Sequence, residues 1–224
     1  MKKITYSKEL PNYTKGEELF NAISHIVGGA FGVVALVLGL VFSFKYSDVY
    51  GIVSMAIYGV SMILLYTMSA IYHFLRKNKA KKVFRIFDHC TIFLLIAGTY
   101  TPFCLVTLRE AGAWGWSLFG VVWGFAILGI VFNAINMHKP IIKTLSMICY
   151  LCMGWCVVVA LGPLLENLDK NGFAWLLVGG LMYTIGAIFY LIGSKKKYIH
   201  SVWHLFCLAG TFFQFMSILL YVLK

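Results

Sequence analysis

The chain has 224 residues, 61% of them hydrophobic and 12% charged, with a formal net charge of +11 and a mean hydropathy of +0.84. So much apolar surface excludes a soluble globular domain and marks a polytopic membrane protein. Membrane topology and anionic inner-leaflet lipid account for the positive balance, so it gives no case for nucleic-acid binding.

Apolar runs long enough to span a bilayer recur seven times. They are expected near residues 22–44, 50–75, 86–107, 114–135, 141–165, 173–193 and 199–223, which predicts an all-α seven-transmembrane helix bundle. Residues 1–21 read as a cytoplasmic amino-terminal segment and 22–224 as one transmembrane domain with short connections. The first run is too long for a signal h-region, and no cleavable signal peptide is visible.

In chain order, Gly28-x-x-x-Gly32 in the first span and Gly120-x-x-x-Gly124 in the fourth read as close helix contacts. Pro102, in Thr99-Tyr100-Thr101-Pro102, is expected to kink the third span, with the threonines compensating the freed backbone groups. Pro140 suits the first turn of the fifth. Cys149, Cys152 and Cys156 hint at a metal clasp, but no second pair answers them. With Cys90, Cys104 and Cys207 they read as small hydrophobes of the membrane core.

Basic residues divide unevenly between the two sides. Lys2, Lys3, Lys8 and Lys15 precede the first span, and Arg76, Lys77, Lys79, Lys81, Lys82 and Arg85 fall between the second and third. Lys139, Lys143, Lys195, Lys196 and Lys197 bring that side to fifteen of the nineteen Lys and Arg residues. The positive-inside rule then places the amino terminus in the cytoplasm and the carboxyl terminus outside, in the plasma membrane.

On this topology all six histidines lie on or near the cytoplasmic face: His25, His73, His89, His138, His200 and His204. His200 and His204 are four residues apart, which puts both imidazoles on one helical face, about 6 Å apart along the axis. With His73 they form a three-nitrogen set that suits catalytic zinc with one position open. Asp88, beside His89, is placed to hold or deprotonate a water from the second shell, and Ser69 shares the helical face of His73. Plainer readings exist for each: interfacial histidines bonded to headgroups, and Asp88 paired with Arg85.

Glu18-x-x-Asn21-x-x-Ser24-His25, Ser69-x-x-x-His73, Asp88-His89 and His200-x-x-x-His204 together resemble the motif set of the progestin and adiponectin receptor superfamily. Within it the chain is similar to the bacterial hemolysin III branch, over nearly its whole length. The resemblance implies zinc near the cytoplasmic side held by His73, His200 and His204, a zinc-bound water held by Asp88, and Ser69 close by. It gives Glu18, Asn21, Ser24 and His25 a supporting role, to which His89 is added as the neighbour of Asp88.

Three functions follow as expectations. The first is a zinc-dependent, ceramidase-like hydrolase acting on the amide or ester of a membrane lipid, whose acyl chain occupies the bundle cavity, and influencing membrane homeostasis. The second is a non-catalytic sensor or regulator of membrane state in which zinc is structural. The third, a pore-forming hemolysin, is disfavoured because seven apolar spans offer no soluble form.

Overall fold

A computed structural model describes residues 10–137, 139–193 and 196–224, with backbone alone for Asn136 and Pro140. His138 therefore lies outside the described residues. Among these residues there is no strand, and seven helical spans are long and apolar enough to cross a membrane. The helices are α1 (Lys15–Tyr46), α2 (Val49–Phe74), α3 (Lys79–Pro102), α4 (Trp114–Asn136), α5 (Pro140–Gly154), α6 (Leu161–Asn167), α7 (Lys170–Ile192) and α8 (Ile199–Ser217). Large apolar side chains such as Val33, Val37, Ile127 and Val131 face outward, as lipid contact requires.

Two helices start seven residues before the apolar runs that predict them. Thr14 caps α1 through a reciprocal capping box with Glu17, so Glu17 and Glu18 lie inside the first turn rather than ahead of it. Asn78 caps α3 by accepting from Lys81 N at 2.9 Å. Hydropathy misses both starts because the first turns are charged.

The fifth span is broken, where the sequence predicts one continuous helix. α5 ends at Gly154, a 3₁₀ turn covers Cys156–Ala160, and α6 completes the crossing. Three consecutive valines, Val157 to Val159, favour helix poorly, and hydrocarbon supplies no water to satisfy an opened backbone. Tyr100 of α3 repairs the break: its hydroxyl donates to Gly154 O at 2.9 Å and accepts from Val157 N at 2.9 Å.

Pro102 ends the α-helical part of α3, and a wider π turn follows over Phe103–Thr107. The adjacent threonines turn back as expected, Thr99 donating to Leu95 O at 2.7 Å and Thr101 to Ala97 O at 2.8 Å. Pro140 opens α5. At the end of the bundle formed by the α1–α2 turn, Arg109 donates to Asp48 Oδ2 at 2.8 Å, holding that carboxyl below the usual carboxylate range.

Glycine lets α1 and α2 approach closely. A Cβ at Gly28 would lie 2.5 Å from Tyr66 Cδ1 and 2.8 Å from Leu208 Cδ2, and one at Gly32 would lie 3.1 Å from Ile63 Cγ1. The second glycine pair does not behave this way: a Cβ at Gly120 or Gly124 would meet nothing within 4 Å. Both sit on the outer face of α4, so the expected close contact is absent among the described residues. Gly28→Ala should lower stability by about 1–3 kcal/mol, as overpacking does, and Gly120→Ala by less than about 0.5 kcal/mol. Thermal melting in detergent checks the pair, and equal melting points would show that the Gly28 contact is not tight.

Candidate metal centre

The start of α1 organises the polar end. Glu17 Oε1 accepts from Tyr198 N at 2.7 Å, tying α1 to the residue that opens α8. Tyr198 holds a left-handed backbone at φ 61°, costly for a residue with a Cβ, and the Glu17 bond helps fix it. Two residues later His200 enters the bundle. One turn beyond Glu17, Asn21 accepts from Ser201 Oγ at 2.7 Å, a second tie between the two helices.

His73, His200 and His204 are all buried, and one ligand nitrogen from each lies within 4.8 Å of the others. Their hydrogen bonds assign the tautomers. Glu18 Oε2 lies 2.8 Å from His73 Nδ1, and an ionised carboxylate only accepts, so Nδ1 donates. His73 Nε2 is then an inward lone pair, with no hydrogen-bond partner among the described residues. Ser24 gives its single proton to Asn21 O at 3.0 Å and so accepts from His204 Nδ1 at 3.2 Å. His204 Nε2, left with a lone pair, sits 3.2 Å from His200 Nε2. Tetrahedral zinc with Zn–N of about 2.0–2.1 Å needs a nitrogen spacing of about 3.3 Å. The His200–His204 spacing is near that value, and His73, His200 and His204 are the side chains that could hold a metal ion.

Surrounding groups fix the rings. Tyr13 stacks on His200 with centroids 4.9 Å apart, and burial pushes its phenol up, keeping it neutral. His25 stacks on His204 at 3.7 Å. Both ring nitrogens of His25 are buried and lack hydrogen-bond partners among the described residues. Glu18 also accepts from Lys81 Nζ at 2.6 Å, and Lys81 donates to Leu75 O at 3.0 Å and lies 4.9 Å from the centre of the Tyr72 ring.

A cavity of about 660 Å³ opens beside the histidines, lined in part by His25, Ser69, Arg85, Asp88, Lys143, His200 and His204. Ser69 and Asp88 stand together on its wall. His89 is used differently from the other histidines: Nδ1 donates to Arg85 O at 3.0 Å and Nε2 accepts from Tyr190 Oη at 3.2 Å. It braces α3 against α7 and has no nitrogen to spare for a metal. The sequence reading missed Lys81, Tyr13 and the Glu17–Tyr198 tie. Only Glu17 had a signal, the Thr14-x-x-Glu17 capping spacing.

A seven-helix, multi-pass membrane bundle with a buried three-histidine group at one end is the class of protein that emerges. The chain belongs to the haemolysin-III-related family, whose family model matches residues 13–215. It is 44% identical to hemolysin-3 of Bacillus cereus over 207 residues, 92% of each chain. It is 41% identical to a hemolysin-3 homolog of Bacillus subtilis over 95% of this chain and 97% of the relative. More distantly, it is 25% identical to the human monocyte to macrophage differentiation factor, over 93% of this chain and 85% of that protein.

Glu18→Gln should weaken zinc binding about 10–100-fold, the usual effect of losing the partner that orients a ligand. It should also cost about 3–5 kcal/mol, because the Lys81 ammonium would stay buried without its counter-ion. Zinc competition with a chelator and thermal melting measure the two effects. Unchanged zinc affinity would show that the carboxylate does not hold His73.

Proposed function

We propose that this protein is an integral-membrane, zinc-dependent hydrolase that cleaves an amide or ester of a membrane lipid and so adjusts membrane composition. The observation carrying this reading is that Ser69, Asp88, His200 and His204 line one cavity, and the last two belong with His73 to a buried three-histidine group. Held by His73, His200 and His204, zinc would supply a Lewis acid able to polarise an acyl carbonyl and lower the pKa of water toward about 7.

The remaining work falls to the chain's own groups. Asp88 takes a proton from the attacking water and returns it to the departing amine or alcohol. Ser69, on the wall of the same cavity, helps stabilise the oxyanion. His25, with both nitrogens open, hydrogen-bonds the polar part of the substrate. Arg85 and Lys143 at the cavity wall suit the carboxylate of the released fatty acid.

One observation favours the second reading, structural zinc in a membrane sensor. The histidines join α2 to α8 while Glu18 and Ser24 add α1, so a metal there would staple three helices. Metal analysis and turnover separate the two. Wild type should carry about one zinc per chain, lost in His200→Ala/His204→Ala. Asp88→Ala should keep the metal and lose about 100-fold or more in turnover. Zinc-loaded wild type that cleaves no ceramide, acyl amide or ester would favour the staple, and absence of zinc after resupply would end both readings.

The basic end, which carries Lys15, Arg76, Lys77, Lys79 and Lys197, is the cytoplasmic one in this reading, with the protein in the plasma membrane. Alkaline phosphatase fused after Lys224 should then be active, and a fluorescent protein fused at the amino terminus should fold and fluoresce. The reverse pattern would invert the orientation.

A further inference from the structure

The metal-end cavity does not stop at the histidines. It shares Leu65, Ile92, Met147 and Cys207 with a narrower apolar chamber of about 120 Å³. That chamber shares Thr99, Tyr100, Gly154, Gly180 and Gln214 with a third, of about 170 Å³, which reaches Leu108 and Phe173. The three lie in series along α3 and α8, each sharing wall residues with the next, and we read them as one passage. Each apolar chamber is comparable with a cavity that holds one benzene, about 150 Å³, so the passage takes a single hydrocarbon chain.

The waist between the apolar chambers has a definite height. From His204 to Gln214, α8 rises about 15 Å. Half of a bilayer's hydrocarbon core, the depth of one leaflet's acyl chain, is also about 15 Å. A lipid held at the histidines therefore brings the end of a common acyl chain to the waist. Two glycines line both chambers there, Gly180 half-buried and Gly154 exposed, and a Cβ on either would meet nothing within 4 Å. Tyr100 borders Gly154 there and is bonded to both sides of the break in the fifth span.

We infer that Gly154 and Gly180 form a length gauge for a single acyl chain, with the far chamber receiving the tail of chains longer than one leaflet. The inference rests on the lipid reading above but needs neither metal nor turnover. A Cβ at either position meets no neighbour within 4 Å, so a leucine there should narrow the way to the far chamber.

The test is displacement of a dansyl-labelled undecanoic acid from detergent-purified full-length protein by lauric, palmitic and behenic acids. In wild type, affinity should rise along that series. In Gly180→Leu and Gly154→Leu, lauric acid should bind as in wild type and behenic acid at least about tenfold more weakly. Gly120→Leu, on the outer face of α4, is the control and should follow wild type. Loss of equal size for all three acids, or no change for behenic acid, would overturn the gauge. So would wild-type affinity that falls between palmitic and behenic acid, a readout that stands if the leucine variants fail to fold. Failure of all three acids to bind would refute the passage while leaving the zinc measurement to judge the hydrolase on its own.

Discussion

Glu18 divides one carboxylate between His73 on α2 and Lys81 on α3, and the polar end of the bundle is arranged around that division. Because the ionised carboxylate can only accept, His73 must donate from Nδ1 and turn its lone pair inward. The carboxylate stays ionised in this half-buried place because Lys81 lies beside it. Lys81 in turn is tolerated because Glu18, the Leu75 carbonyl and the Tyr72 ring surround its ammonium. Remove the first turn of α1, and neither the charge balance nor the histidine tautomer has a cause.

The same reasoning explains which features were readable in the sequence. The seven spans follow from length and hydropathy, and the spacing of His200 and His204 puts them on one face whatever the neighbours do. The convergence of His73 with that pair follows from the order of the motifs along antiparallel helices. Lys81 was not readable, being one basic residue in a loop rich in them, and only the fold selects it for burial. Nor was Tyr13: it precedes the first helix in a stretch that composition assigns to a polar tail, yet it covers His200. The helix starts were misplaced for a related reason, since caps and charged first turns are invisible to an apolar count.

Packing shows the limit of pattern reading more sharply. Gly28-x-x-x-Gly32 and Gly120-x-x-x-Gly124 are the same motif, yet the first grips Tyr66 and Ile63 while the second faces outward. A small-residue pair permits close approach without dictating it, and a bulky partner at the same height must also exist. The break in the fifth span is likewise a two-helix property. Val157 to Val159 weaken the helix locally, but the opened backbone is tolerable in hydrocarbon only because Tyr100 reaches it from α3.

The chemistry of the donor set bears on whether an ion at this site would serve a reaction or only a scaffold. Structural zinc sites are closed by four ligands and commonly include thiolates, whose charge quenches the ion's acidity. Here the three donors are neutral imidazoles, and Cys207, the next cysteine along α8, is not among them. Glu18, the carboxylate bonded to His73, is also committed to Lys81, which offsets much of its charge. Three neutral ligands leave most of the positive charge available to a fourth, exchangeable partner, the condition under which water becomes acidic. Asp88, on the wall of the cavity that His200 and His204 also line, is the carboxylate that would respond to that charge. A site meant only to staple α2 to α8 would not require the cavity beside it.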